Sequence, residues 1–319
     1  MSRGELLLRI GNRIKPIRSI LRGRLLSQLQ NGSKRRKLNR SYNRMSLSEQ
    51  SAYHTLYATA LENSVVDDFI WNVEYLDKVI RMAVSSENTA LEWNTALSIL
   101  GHGKLIKAFY SNLLNSNRKP NVFFDVGANF GTHSLLFLSH NVKTFSFEPN
   151  SYCHELFNKL CALNNVKANI VTKALSDKES LSELYFPTEQ TWLGTIELDT
   201  RIGLEENHAL ISHEVVTTSL DTFCSINNVS PDLIKIDTEG HELSVLKGSR
   251  FVLLNLKPIV LFECTKREER GKIYSFFRSH NYNVFDLPYT NDPIESSVKF
   301  INNSSTDYIA LHVEDKLHI

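Results

Sequence analysis

No stretch of this chain approaches the roughly 18 consecutive apolar residues that mark a membrane-spanning helix. The four cysteines, Cys153, Cys161, Cys224 and Cys264, form no CxxC pair. That argues for reduced thiols in a cytosolic protein and against a disulfide frame or a zinc site. Internal repeats and low-complexity tracts are absent. The opening MSRGELLLRIGNRIKPIRSILRGRLL is threaded with arginine and has no apolar core followed by a small-residue cleavage site. It does not read as a secretory signal, and the expected location is cytoplasmic. What is present is ordinary: 319 residues, 42% hydrophobic and 22% charged. That is enough for one large soluble domain, or one domain with an accessory segment.

Acids are scarce at one end. Residues 1–44 hold 13 Lys and Arg against the single acid Glu5, a net +12, while the remainder holds 23 basic and 34 acidic residues, a net −11. Within residues 4–29, Leu6, Ile10, Ile14, Ile17, Leu21 and Leu25 share one face at helical spacing, with Lys15, Arg18 and Arg22 opposite. Pro16 interrupts that helix and Arg24 sits at the margin of its apolar face. NGSKRRKLNR (31–40) reads as a flexible basic linker. Three roles compete for this tail. One is peripheral contact with an anionic inner membrane surface. Another is a disordered solubilising tail, or a helix docked on an acidic protein surface, its own or a partner's. The third is nucleic-acid binding, which is disfavoured because Tyr42 is the tail's one aromatic and no known binding fold is visible.

Residues 45–117 read as a helical extension. Ser46 and Glu49 form a capping box opening a helix to about Glu62. VDDFIWNVEYLDKVIRMAV places Phe69, Val73, Leu76, Ile80 and Ala83 at helical spacing, and a third helix is expected over 89–115, interrupted at GHG (101–103). From Asn121 onward, apolar strands alternate with helices: NVFFD, KTFSFE, ANIVTKAL, DLIKID, PIVLFEC, NVFDL and DYIALHV are the strands. Such βαβ alternation implies a mostly parallel sheet with helices on both faces.

The chemistry lies at the ends of these strands. The first strand runs into Asp125 and then a loop, DVGANFG, with glycines at 127 and 131. In a doubly wound sheet this is where ligands bind, and glycine lets the backbone approach one closely. Asn129 can reach the ligand or hold the loop. Glu148, in FSFEPN, ends the second strand 23 residues after Asp125, placed to accept hydrogen bonds from ribose hydroxyls. The spacing is GxxxG rather than the GxGxxG of dinucleotide sites, and an acid precedes it. An acid suits a cation, not a pyrophosphate. The pattern therefore favours S-adenosyl-L-methionine, with its ammonium and sulfonium, over NAD. Ser176 and Asp177, in KALSD, are candidates for contact with the adenine amino group, or form a plain turn. A second cluster follows the fourth strand in PDLIKIDTEGHELSVLKG (231–248). Asp237, Glu239 and His241, together with Glu263 after the fifth strand, are candidate bases for deprotonating an acceptor hydroxyl. A more ordinary role is open for three of these side chains: Asp237 as a cofactor holder, Glu242 as a helix cap, His241 as a surface residue. No separated ligand set completes a metal site.

With both clusters in view, residues 118–313 resemble the FkbM family of S-adenosylmethionine-dependent methyltransferases. FFDVGANFGTHSLLF, FSFEPN, KALSD, VTTSLDTF, LIKIDTEGHELSVLKG and IVLFECT carry the resemblance, in the family's order and spacing. It implies a class I methyltransferase (Rossmann-like) sheet of seven strands with the last antiparallel, spanning 118–319 and preceded by the helical segment. It implies O-methylation of a carbohydrate-containing small molecule or glycan. It assigns Asp125, Gly127, Asn129, Gly131 and Glu148 to the cofactor, and Asp237, Glu239 and Glu242 to the lining of the transfer site. Residues 188–214 match the family loosely; Trp192, Gly194 and Thr195 there are candidates for an acceptor-facing lid. An NAD-dependent oxidoreductase and a non-catalytic binding module are the rival readings.

Overall fold

The computed structural model describes residues 66–100, 103–187, 190, 193–315 and 317, and parts of 23–50. The amphipathic stripe expected at 4–29 falls almost wholly outside the described residues, as do 51–65 and Trp192. The chain divides into two compact units, Met1–Lys107 with Leu160–Val166, and Ala108–Lys159 with Lys167–Ile319. No described helix is long and apolar enough to cross a membrane.

In the first unit, the stretch read as a flexible linker is helix α1 (Gly32–Tyr42). The Asn31 side chain starts it by accepting from the Ser33 and Lys34 amides (3.0 and 3.1 Å). Leu38 and Tyr42, four residues apart, are buried, and the Arg35 guanidinium lies 4.1 Å from the Phe69 ring centroid. Charge density alone hid this anchorage. The Ser46–Glu49 capping box is present, with the Ser46 amide donating to the Glu49 carboxylate at 2.9 Å and the Glu49 amide to Ser46 Oγ at 3.4 Å.

The helix expected over 66–84 is instead a hairpin, β1 (Phe69–Tyr75) against β2 (Lys78–Val84), joined by Leu76 and Asp77. Trp71, Val73, Tyr75, Ile80, Met82 and Val84 are buried in alternation. This period of two competes in the same residues with the helical spacing, and β-branched and aromatic content favours the strand. The Trp71 ring stacks on Trp93 (4.3 Å between centroids). Trp93 belongs to α2 (Thr89–Leu100), which with α3 (Lys104–Leu114) is the helix pair expected over 89–115.

The second unit is built on a seven-stranded sheet: β3 (Val122–Val126), β4 (Lys143–Phe147), β5 (Asn169–Val171), β9 (Leu233–Ile236), β10 (Ile259–Glu263), β11 (Tyr282–Asp286) and β12 (Asp307–His312), in the order β11-β12-β10-β9-β3-β4-β5. The strands from β10 to β5 pair in parallel; β12 is antiparallel to both its neighbours. This is the expected class I methyltransferase sheet. Its central strands, VFFDV and LIKI, are buried on both faces, which is why they read as unbroken apolar runs. The connecting helices are α4 (Thr132–Ser139), α5 (Ser151–Leu163), α7 (Leu220–Asn227), α8 (Glu242–Lys247) and α9 (Arg267–Ser279), with α10 (Ser297–Ile301) before β12.

One feature of this unit went unread. ANIVTKAL is not one strand. The main sheet takes only β5, and β6 (Ala174–Leu175) joins β7 (Ser180–Pro187) and β8 (Leu210–Thr218) in a three-stranded sheet of order β6-β8-β7. Between β7 and β8 lies helix α6 (Leu198–Glu205), inside the loosely matching 188–214 segment.

Candidate functional site

β4 follows β3 on one side of the sheet and β9 borders β3 on the other, so the strand order reverses between β3 and β9. Their carboxyl ends form the switch point where such sheets bind ligands. The two ends touch closely. The Asp237 amide donates to the Val126 carbonyl (3.0 Å), and Gly127, at φ 76°, passes so near that an added Cβ would sit 1.7 Å from the Asp237 carbonyl oxygen. Gly131, at φ 71°, leaves room for the Phe157 ring, which an added Cβ would meet at 2.2 Å. Both glycines are therefore demanded by the backbone path itself.

Asp125 is fully buried. Its Oδ2 accepts from the amide (3.0 Å) and hydroxyl (2.6 Å) of Ser134, fixing the start of α4. Its Oδ1 makes no hydrogen bond; Lys235 Nζ stands 3.8 Å away. Lys235, directly opposite Asp125 in the β3–β9 register, leans instead to Asp237 Oδ2 at 3.1 Å. Burial therefore raises the Asp125 pKa despite the lysine. Burial also opposes the lysine charge, but Asp237 and Asp125 outweigh it and raise the Lys235 pKa.

Glu148, just beyond β4, is buried. Its Oε2 accepts from the Asn129 amide (2.7 Å) and its Oε1 from the Asn150 amide (2.8 Å). Burial outweighs these bonds and pushes its pKa to about 7. Each oxygen keeps acceptor capacity for a further donor such as a hydroxyl. Asn129 (φ 53°) thus serves the loop through its backbone, while its side-chain oxygen faces the Cys153 thiol (3.5 Å). Ser176 follows β6, outside the main sheet; its hydroxyl meets His241 Nε2 (3.0 Å), and Asp177 is exposed. The strand path that suggested an adenine contact for these two residues is absent, because β5 stops at Val171.

Around Asp237 the structure gathers the other acids. Glu239 sits in the left-handed region (φ 53°), and burial, then Asp237 and Glu242, push its carboxyl to about 7. Glu263, at the end of β10, reaches about 9, through burial and then Asp237, Glu239 and Asp307. Asp307 pairs with Glu263 in the sheet register and is raised by burial and Asp237. Buried Arg270 on α9 braces this edge, donating to the carbonyls of Cys264, Asn303 and Ser305. Glu242 acts on the turn itself: its Oε1 accepts from the Thr238 amide and hydroxyl (both 2.9 Å) and the Gly240 amide (3.1 Å). His241 has both ring nitrogens engaged, Nδ1 with Glu197 and Nε2 with Ser176. The bond to His241 is the main cause of a lowered Glu197 pKa. Among the described residues, no group of three or more His, Cys, Asp and Glu is arranged to hold a metal ion.

Sequence reading missed Lys235, Asp307, Glu197 and Thr200. Lys235 had a signal, since a lone lysine in an apolar strand requires a carboxylate partner. Glu197 and Thr200 had none, lying about forty residues from the turn they touch.

The raised acids make a testable demand on stability. The folded state holds the Glu263 proton up to about pH 9, against an ordinary carboxylate value near 4.5 in the unfolded chain. This group's contribution is fully present below about 4.5 and is lost as pH rises toward 9. The neutral Glu263→Gln variant should match the parent near pH 5 and exceed it at pH 8 by on the order of 2–3 kcal/mol. Thermal unfolding at the two pH values checks this; a stability difference independent of pH contradicts it.

The donor set fits a cationic nucleoside cofactor. It combines a glycine cradle that Cβ atoms would fill, the Glu148 carboxylate with spare acceptor capacity, and Asp125 Oδ1 without a hydrogen bond. The Methyltransferase FkbM domain family matches residues 125–284, half of the chain. Hexuronic acid methyltransferase AglP of Haloferax volcanii is 27% identical over 152 residues, covering 47% of this chain and 58% of that protein. Among solved structures, Methyltransferase FkbM from Methylobacillus flagellatus KT aligns with 14% identity and a TM-score of 0.37, covering 82% of this chain and 59% of that one. The Pyrococcus abyssi tRNA (uracil-54, C5)-methyltransferase in complex with S-adenosyl-L-homocysteine aligns with 11% identity and a TM-score of 0.35, covering 76% and 42%. The chain thus spans less than two thirds of the length of each of these three proteins.

Proposed function

The chain belongs to the FkbM methyltransferase family, and from that premise we propose that it transfers the methyl group of S-adenosyl-L-methionine to a hydroxyl of a glycan or glycosylated metabolite. The observation that carries the transfer site is the turn Asp237–His241, which brings the acids Asp237 and Glu239 to the switch point beside Gly127. The carbohydrate acceptor rests on the likeness to a protein whose name states a hexuronic acid substrate.

The cofactor, when bound, supplies an electrophilic methyl carbon on a sulfonium. Gly127 would admit it to the strand ends, and Glu148 would accept from its ribose hydroxyls. The acceptor hydroxyl must lose its proton as its oxygen is alkylated. Asp237 is tied to Lys235, Glu242 to the turn, and His241 to Glu197 and Ser176. Glu263, held protonated to about pH 9, is a poor base at neutral pH. Glu239, with its pKa near 7, is left as the base best matched to the task.

Incubation with S-adenosyl-L-[methyl-³H]methionine and a glycan extract of the source cells, followed by mass spectrometry, tests the proposal. Label in a glycan fraction is expected, and label confined to non-carbohydrate products overturns the acceptor class. Donor binding is checked separately. Glu148→Ala removes the ribose contact and should weaken donor affinity by about 1.5–3 kcal/mol, roughly 10- to 150-fold. Equal calorimetric affinities for variant and parent would rule that contact out.

A further inference from the structure

We propose that Thr195 and Thr200 are positioning residues for Glu239, their hydroxyls together holding the turn that presents its carboxylate to the acceptor. The inference rests on Glu239 being the base. Both hydroxyls converge on one atom: Thr195 Oγ1 donates to the Glu239 carbonyl oxygen at 3.1 Å and Thr200 Oγ1 at 3.2 Å. The threonines flank α6, Thr195 preceding it and Thr200 lying in its first turn. Glu197, between them, binds the next side chain but one, His241, whose far nitrogen meets Ser176. Residues 195–200 therefore fasten to residues 239–241 at three points. Gly240 permits the approach, since an added Cβ would lie 2.8 Å from Thr200 Oγ1 and 2.7 Å from Lys266 Nζ.

The turn needs such fastening. A non-glycine residue in the left-handed region is held there at a cost of about 1 kcal/mol. The groups around the Glu239 carboxyl also disfavour its charge: Asp237 and Glu242 on its own loop repel it, Glu263 on β10 stays protonated at neutral pH, and Lys235 attracts, with Lys266 Nζ beside Gly240. Glu242 holds the amide side of the turn through Thr238 and Gly240. The Glu239 carbonyl is held from the other side, by the two threonines. Without them the turn can relax and the carboxylate can swing toward water.

The test uses the full chain with Thr195→Val and Thr200→Val combined, and a Thr195→Ser, Thr200→Ser pair that keeps both hydroxyls. Carboxyl titration by ¹³C NMR, with the Glu239 signal assigned by its loss in Glu239→Gln, reads the turn without any acceptor. The parent midpoint is expected near 7. In the valine pair it should fall by about one unit or more toward the ordinary carboxylate value, and the serine pair should restore it. A midpoint unchanged in the valine pair overturns the inference whatever the activity. Methyl transfer to the glycan extract adds a second reading. The valine pair should slow it by about tenfold or more, yet by less than about twofold when added to Glu239→Gln, because the threonines act through that residue. An equal loss in both backgrounds makes them merely structural and also overturns the inference. Parent-like transfer by Glu239→Gln itself sinks the base assignment instead, while the titration still decides whether the threonines hold the turn.

Discussion

Glu239→Gln is expected to reduce methyl transfer by about 10²–10⁴-fold while leaving donor affinity within about twofold of the parent. The substitution keeps the size of the side chain and the left-handed turn, and removes only the ability to take a proton. The neighbouring carboxylates do not replace it readily. Asp237 is committed to Lys235, and Glu263 stays protonated at neutral pH. The parent's dependence on pH carries the same signature. Below about 7, Glu239 binds a proton and ceases to be a base, so kcat/KM should fall about tenfold per unit as the solution is acidified. Glu239→Gln should flatten this limb. If its activity equals the parent's, or if the limb persists unchanged, the proton goes elsewhere, and Asp237 is the next group to test.

Gly127→Ala should be the most damaging single methyl group in the second unit. Its Cβ would meet the Asp237 carbonyl oxygen at 1.7 Å, and that oxygen belongs to the backbone, so no side chain can rotate away. The residue also sits at φ 76°, where alanine is strained. Relief requires β3 and β9 to part at their carboxyl ends, where the Asp237 amide donates to Val126. We expect a loss of about 3–5 kcal/mol in stability, with donor affinity reduced at least about 100-fold in whatever folds. Thermal unfolding and calorimetry read the two effects, and a variant that melts with the parent refutes the close approach.

Much of the second unit was legible because its signals are local. A buried parallel strand is an apolar run, and a ligand-binding turn announces itself by glycine next to an acid. VFFDVGANFG, FSFEPN and LIKIDTEG each hold both within about ten residues. The hairpin at 69–84 was misread because Phe69, Val73, Leu76, Ile80 and Ala83 satisfy a helical period, while the alternation of Trp71, Val73 and Tyr75 with Ile80, Met82 and Val84 decides the packing. Only partners elsewhere in the chain, such as the Trp93 ring, break that tie. Within the site, Asp125 and Glu148 lie at the strand ends where the sequence put them, but the contacts that hold the Glu239 turn were not foreseen. Thr195 and Thr200 reach the Glu239 carbonyl, and Glu197 reaches His241, from a segment about forty residues away, and no periodicity encodes that meeting.

The pairing of Asp125 with Lys235 across β3 and β9 restricts how this sequence can drift. Lys235 replaced alone by an apolar residue leaves the buried Asp125, and Asp237 beside it, without their shared counterweight, a loss of about 3–5 kcal/mol. That is a large share of the whole stability of a typical domain. An exchange of the lysine for leucine is therefore costly unless the buried Asp125 is neutralised at nearly the same time. The two strands are bound in inheritance as well as in space, and the glycine between them has no room to vary at all.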